Sequence, residues 1–176
     1  MNNIGFCVNV GIEYLSNYKF EEWGELGYKH LGDAGFDLRA AINEPIILNP
    51  PGITNAPNPQ VNQVHYYFDG IDRKLISTGI KIELPDYFEM QVRSRSGLCI
   101  KEGVFVLNSP GTVDSQYRGE VGVILCNLSS SQVIINPGDR IAQGVINQLP
   151  VATLLKVGKV NETVRGESGF GSTGKE

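Results

Sequence analysis

A cationic surplus, clustered cysteines, a long apolar run and helical periodicity are all missing from this 176-residue chain, and each absence removes a class of function. Fifteen Lys and Arg against nineteen Asp and Glu leave a formal charge of -4, whereas a groove for a nucleic-acid polymer needs a basic surface. Local arginines can still hold one small anion. The three cysteines, Cys7, Cys99 and Cys126, are odd in number and widely spaced within apolar runs, so neither a disulfide framework nor a zinc site is indicated and buried thiols are expected. No apolar stretch approaches the roughly 18 residues of a membrane helix. MNNIGFCVNV lacks the basic start and apolar core of a secretory signal, which makes the cytoplasm the expected compartment.

What is present is strand. IILNPPG, HYYFDGI, KLISTGIKIELP, YFEMQVRSRSG, GVFVLNSPGTVD, GEVGVILCNLSS, QVIINPGDRIAQGVI and ATLLKVGKV are β-branched or aromatic runs punctuated by Gly, Pro, Asn and Asp. That spacing predicts an all-β sandwich or barrel in one domain, residues 1–164. One short helix is expected in SNYKFEEWGEL, with Ser16 as its cap and Gly24 and Gly27 weakening it. PPGITNAPNPQVN, from Pro50 to Asn62, reads as an exposed loop. The ending, RGESGFGSTGKE, has one large apolar side chain and four glycines, too little to offset the entropy of ordering, so residues 165–176 are expected to form a flexible arm.

Polar clusters interrupt the strands at five places. DAGFDLRA sets Asp37 and Arg39 on one face of a strand, with Phe36, Leu38 and Ala40 on the other. VRSRSGLC brings guanidinium, hydroxyl and free backbone N–H groups to one point, as a phosphate nest requires. In VLNSPGTVDSQYRGE, Asn108, Asp114 and Tyr117 surround a Ser-Pro-Gly turn and suit a hairpin pocket for a small molecule. There an amide can read a base edge, a carboxylate can take a proton from water, and a ring can lie against a sugar. PGDRIAQG contributes Arg140 and Gln143, and the tail contributes Arg165, Phe170, Ser172 and Thr173. Each cluster alone also fits an ordinary turn, a surface ion pair or a frayed end.

Taken in order, DAGFDLRA, RSRSGL, GTVDSQYRGE, PGDRIAQG and RGESGFGSTG resemble the five motifs of the trimeric dUTP pyrophosphatases, or dUTPases. The steps of 13 residues from Arg95 to Asn108 and six from Asn108 to Asp114 agree with that resemblance. It implies a jelly-roll-like β fold and a homotrimer whose active sites are shared between chains. The implied reaction is Mg²⁺-dependent hydrolysis of dUTP to dUMP and pyrophosphate, which clears dUTP and supplies dUMP for thymidylate synthesis. On the same basis Asp114 is the expected base for the attacking water, and Asp37 is expected to hold Mg²⁺ through waters. Arg95, Ser96 and Gly97 grip phosphate, with Arg140 and Gln143 in support. Asn108 and the backbone near Gly122 read uracil, Thr112 and Val113 lie along the nucleoside, and Tyr117 excludes a 2′-hydroxyl. Arg165, Phe170, Gly171, Ser172 and Thr173 close over the nucleotide.

Two departures from the pattern stand out. The 58-residue step from Asp37 to Arg95 exceeds the usual gap by about one hairpin or Ω-loop, placed around residues 50–73 and expected to be inert surface; a regulatory partner is not indicated. Ser168 stands where another glycine is expected, and would be strained if that position needs positive φ. A dCTP deaminase of related fold would instead need a pocket glutamate, for which Glu102 and Glu120 are the candidates. A third reading is a binding module that keeps the fold for protein recognition through the inserted loop.

Overall fold

The computed structural model describes residues 7–58 and 63–168, with residues 53–58 and 63–69 described through their backbone alone. In chain order the elements are β1 (Gly11–Tyr14), α1 (Phe20–Trp23), β2 (Phe36–Arg39), β3 (Ile46–Leu48), β4 (Gly52–Asn58) and β5 (Gln63–Gly70). They continue with β6 (Arg73–Ser77), β7 (Ile80–Glu83), β8 (Phe88–Ser94), α2 (Ser96–Glu102) and β9 (Val104–Val106). Last come β10 (Gly111–Asp114), β11 (Gly122–Asn127), β12 (Val133–Ile135) and β13 (Arg140–Gln148). Every strand pairing is antiparallel. The central sheet runs β10-β8-β13-β2, a second runs β6-β11-β9, and β1-β7, β3-β12 and β4-β5 are two-stranded ribbons.

Period-two patterning places the core. On β8, Phe88, Met90 and Val92 point inward while Glu89, Gln91 and Arg93 do not; β2 buries Phe36 and Leu38 and leaves Asp37 and Arg39 at the surface. Across from them, β11 and β9 bury Val123, Leu125, Val104 and Val106, and Ile76, Ile80 and Ile82 close the interior. Each such side chain removed from water stabilises the fold by about 1.5–3 kcal/mol. The buried amide of Asn127 is fully engaged: Nδ2 donates to Leu48 O (2.9 Å) and Ser131 O (2.8 Å), and Oδ1 accepts from Ser129 N–H (2.8 Å).

Several expectations need correction. ATLLKVGKV forms no strand: residues 151–160 have no ladder partner in this chain, and Leu154 and Val160 are 96% and 76% exposed. A strand needs both a neighbour and a surface to cover, and a single copy supplies neither. The stretch read as a loop from Pro50 to Asn62 contains β4, whose pairing with β5 makes the surplus a hairpin. Its foot is tied by Asp72 Oδ2, which accepts from Asn49 N–H at 2.8 Å. The helix at 20–23 is only one turn long, with Lys19 rather than Ser16 at its N-cap and no side-chain cap. Missed altogether was α2, which starts at Ser96 inside a segment rich in Ser and Gly and stops at Gly103 in the left-handed conformation. Of the thiols, Cys7 and Cys99 are exposed and Cys126 is buried, where desolvation pushes its pKa up.

Candidate active site

Three of the five polar clusters meet at one end of the central sheet. Asp37 pairs with Gln143 across β2 and β13, Gln143 pairs with Arg93 across β13 and β8, and Arg95 follows directly after β8. Asp37 Oδ1 accepts from Arg95 Nε at 3.0 Å and Oδ2 from Arg140 Nη1 at 3.2 Å. Arg95 Nη1 also donates to the carbonyl of Arg140 at 2.8 Å, so the two arginines flank one carboxylate and are joined to each other. Their side chains and that of Asp37 remain a quarter to nearly half exposed, which leaves the group open to an incoming anion. The cleft there is about 470 Å³, with Arg39, Gln143, Lys29 and Trp23 in its wall. Ser96 and Gly97 open the first turn of α2, and no side chain caps that end, so its N–H groups are free of a capping bond.

The VLNSPGTVDSQYRGE segment sits differently from expectation. It is not a hairpin: β9 pairs with β11 and β10 pairs with β8, so the Leu107–Pro110 turn carries the chain from one sheet to the other. Leu107 N–H donates to Ile124 O at 2.8 Å, and Asn108 follows at the end of that ladder, toward Gly122 at the start of β11. Asp114 ends β10 on its exposed face, opposite Glu89. Thr112 shares that face, whereas the Val113 side chain lies in the core, so only its backbone is available to a ligand. Tyr117 is 46% exposed and donates its hydroxyl to Glu120 O at 2.9 Å. The hydroxyl passes over Gly119, where a Cβ would stand 2.3 Å away, so YRGE needs its glycine.

The register sets the distance between these regions. Asp114 is level with Glu89, and Arg95 lies six residues further along the same strand direction, about 20 Å at strand rise. A carboxylate-held water and the arginines that grip the same phosphate chain would need to be far closer. Within one copy, the two groups of residues therefore stand apart.

The tail adds little here. Arg165 sits in an exposed turn with Nε donating to Ser168 O at 2.9 Å, and Ser168 is not among the positive-φ residues, so its feared strain does not arise. Phe170, Gly171, Ser172 and Thr173 lie outside the described residues. The deaminase candidates also resolve: Glu120 Oε1 accepts from Gly79 N–H (2.8 Å) and from the Ser77 hydroxyl, bracing the turn from β6 into β7, and Glu102 lies on exposed α2 beside Arg95 and Arg140. No helix among the described residues is long and apolar enough to cross a membrane.

Fold and site together define an antiparallel β protein that presents a carboxylate, an amide and a tyrosine at one place and an arginine-lined anion cleft at another. The dUTPase family model matches residues 63–174, and the chain belongs to that family. It is 48% identical to the deoxyuridine 5′-triphosphate nucleotidohydrolase of Treponema denticola over 84% of this chain and 88% of that protein. Against the protein of the same name from Chlamydia pneumoniae it is 47% identical over 89% and 95%. Among solved structures, a dUTPase of Staphylococcus bacteriophage 80alpha with dUpNHpp shares the fold at a TM-score of 0.71 and 22% identity, covering 94% of this chain and 98% of that one. The dUTPase of phage phi11 of S. aureus, described with a structural Mg(II) ion, matches at 0.65 and 20% identity, over 88% and 100%.

Proposed function

We propose that this protein is a cytoplasmic dUTP diphosphatase that acts as a homotrimer and hydrolyses dUTP to dUMP and pyrophosphate. The observation that carries this reading is the 47–48% identity, over more than four-fifths of the chain, to proteins named for that activity. Asp114 is the general base. Its exposed carboxylate orients a water toward the α-phosphorus and takes its proton as the water's oxygen bonds there and the bond to the bridging oxygen breaks. Arg95, Ser96 and Gly97 neutralise charge on the departing phosphates, with Arg140 and Gln143 holding the cleft around them.

Mg²⁺ bound to the substrate phosphates would supply further charge neutralisation. A carboxylate such as Asp37, all acceptor and beside the anion cleft, suits hydrogen bonding to that ion's waters. Asn108 and the backbone at Gly122 pair with uracil, and cytosine would leave those groups unmatched. Tyr117 lies under the deoxyribose, with Thr112 and the Val113 backbone alongside. Arg165, Phe170, Gly171, Ser172 and Thr173 fold over the bound nucleotide.

The 20 Å between Asp114 and Arg95 supports a site shared between copies, the water held by one chain and the phosphates by another. The exposed apolar residues Leu149, Val151, Leu154, Leu155, Val157 and Val160 support it too, since a neighbouring copy would cover them. Pyrophosphate release from dUTP, dCTP, dTTP and UTP tests the assignment directly. Release from dUTP far above the other three is expected; equal release from all four, or none from dUTP, refutes it. Sedimentation tests the trimer, which a monomeric mass at assay concentration would exclude.

A further inference from the structure

Trp23, the only tryptophan of the chain, stands in the wall of the anion cleft and rests on the turn that delivers Arg140. A Cβ placed on Gly138 would lie 2.9 Å from Trp23 Nε1 and 3.2 Å from Cε2, so the indole edge occupies the space any side chain would fill. Gly138 also has φ +85°, which independently disfavours other residues. The turn beneath the indole is bonded on every side. Asn136 N–H donates to Asp139 Oδ2 (2.7 Å), Gly138 N–H to Ala40 O (2.8 Å), Ala40 N–H to Asp139 O (2.8 Å) and Arg39 Nη1 to Gly138 O (2.8 Å). The next residue along is Arg140, whose guanidinium meets Asp37 and whose carbonyl holds Arg95.

Trp23 is itself held from behind. The Tyr18 ring meets it edge-on at 5.1 Å, and the Tyr14 ring lies tilted against Tyr18 at 4.6 Å. Tyr18 is buried, its pKa raised chiefly by desolvation, and its hydroxyl donates to Gly24 O at 3.0 Å. Tyr14 Oη accepts from Leu26 N–H at 2.7 Å. One turn of helix such as α1 is not stable by its own hydrogen bonds. These aromatic contacts and the Gly138 turn are what keep residues 20–26 in place.

We propose that Trp23 is a positioning residue for the phosphate grip. By pinning the Pro137–Arg140 turn it fixes the aim of Arg140 and, through the Arg140 carbonyl, of Arg95, without itself touching a reacting atom. The ligand class concerned is a di- or triphosphate anion; that it is dUTP rests on the function proposed above.

The test uses the full chain with Trp23→Phe, Trp23→Ala and Arg140→Ala, singly and with each Trp23 variant combined with Arg140→Ala. Steady-state kinetics on dUTP are read beside calorimetric affinity for inorganic pyrophosphate with Mg²⁺ and thermal midpoint. Trp23→Ala should lower kcat/KM by about 10- to 100-fold, the cost of small misplacements at a reacting centre, with Trp23→Phe intermediate. In the Arg140→Ala background the same change should cost clearly less than in the wild type, because the guanidinium it aims is gone and only the backbone carbonyl that holds Arg95 is left to misplace. If Trp23→Ala does not fold, the Phe variant carries the same comparison. Losses that multiply across the two sites, or pyrophosphate affinity within about twofold of wild type in both Trp23 variants, would overturn the proposal. A wild-type chain that binds pyrophosphate yet leaves dUTP intact would instead refute the function, while the calorimetric coupling between Trp23 and Arg140 still decides this one.

Discussion

The two ends of β8 are built in opposite ways. At the Arg95 end three side chains are paired before any ligand arrives, Asp37 accepting from both Arg95 and Arg140 under a turn buttressed by Trp23. At the Asp114 end the carboxylate and the Tyr117 ring face solvent, and the bond from Tyr117 Oη to Glu120 O ties the ring by its edge and leaves its face open. The difference matches the tasks assigned to them. A grip on a multiply charged ligand gains from arginines whose rotamers are already ordered, whereas a base must keep its lone pairs free for water. In the proposed reaction, neither end completes the site without the other.

The largest effect tests the open end. Asp114→Asn keeps the shape but removes the base, and kcat should fall by about 10² to 10⁴ fold with thermal midpoint unchanged, since Asp114 is exposed. Turnover near wild type would show that the base lies elsewhere. Next comes the separation itself. Chains carrying Asp114→Asn and chains carrying Arg95→Ala, each nearly inactive, should on co-refolding recover up to about a quarter of wild-type activity, because random mixing gives that share of sites an intact half from each parent. No recovery would mean the two ends work within one chain.

Smaller is Tyr117→Ala, expected to narrow the dUTP-over-UTP ratio of kcat/KM by about tenfold as the wall against a 2′-hydroxyl is lost. An unchanged ratio would remove Tyr117 as discriminator. Away from both ends, Asn127→Ala should cost about 1–3 kcal/mol in urea unfolding, because Leu48 O, Ser131 O and Ser129 N–H lose their buried partner. Its kcat should be unaltered where the protein is folded.

Smallest is Asp72, at the foot of the β4–β5 hairpin, whose carboxyl is held below its ordinary pKa first by the Asn49 backbone N–H and then by Lys74. A carboxyl with a lowered folded pKa adds stability in full above its unfolded value of about 3.9, and loses it as pH falls through the folded value. The difference in urea midpoint between wild type and Asp72→Asn should therefore be present at pH 7 and shrink in acid. A difference independent of pH would show that the Asn49 contact does not depend on charge.

Strand positions were legible because alternation on β2, β8 and β10 is a local signal, and residues that alternate must face opposite sides of a pleat. Both helices were harder to read. α2 begins in Arg-Ser-Gly, where propensity favours a turn, and its left-handed stop at Gly103 is a backbone choice invisible in composition. A surplus of about one hairpin or Ω-loop was legible from the spacing, but β4 within it reads as loop because Pro and Asn argue for one, whereas antiparallel pairing with β5 supplies hydrogen bonds that no single strand reveals. Of the candidate site, the residue types and their order were legible; that the Val113 side chain turns into the core, leaving only its backbone to a ligand, depends on what packs against β10.

By itself the sequence determined the all-β class, the alternation that turns Asp37, Thr112 and Asp114 outward, and the family, because these depend on residue types at fixed spacings along one chain. Only the tertiary structure decided that Asp37, Arg95 and Arg140 meet although 58 and 103 residues separate Asp37 from its partners. It alone set Trp23 against Gly138 and put about 20 Å of β8 between Arg95 and Asp114. Those relations are fixed by strand order and register, which come from the joint burial of distant apolar faces, and no local window of sequence contains both partners of such a contact.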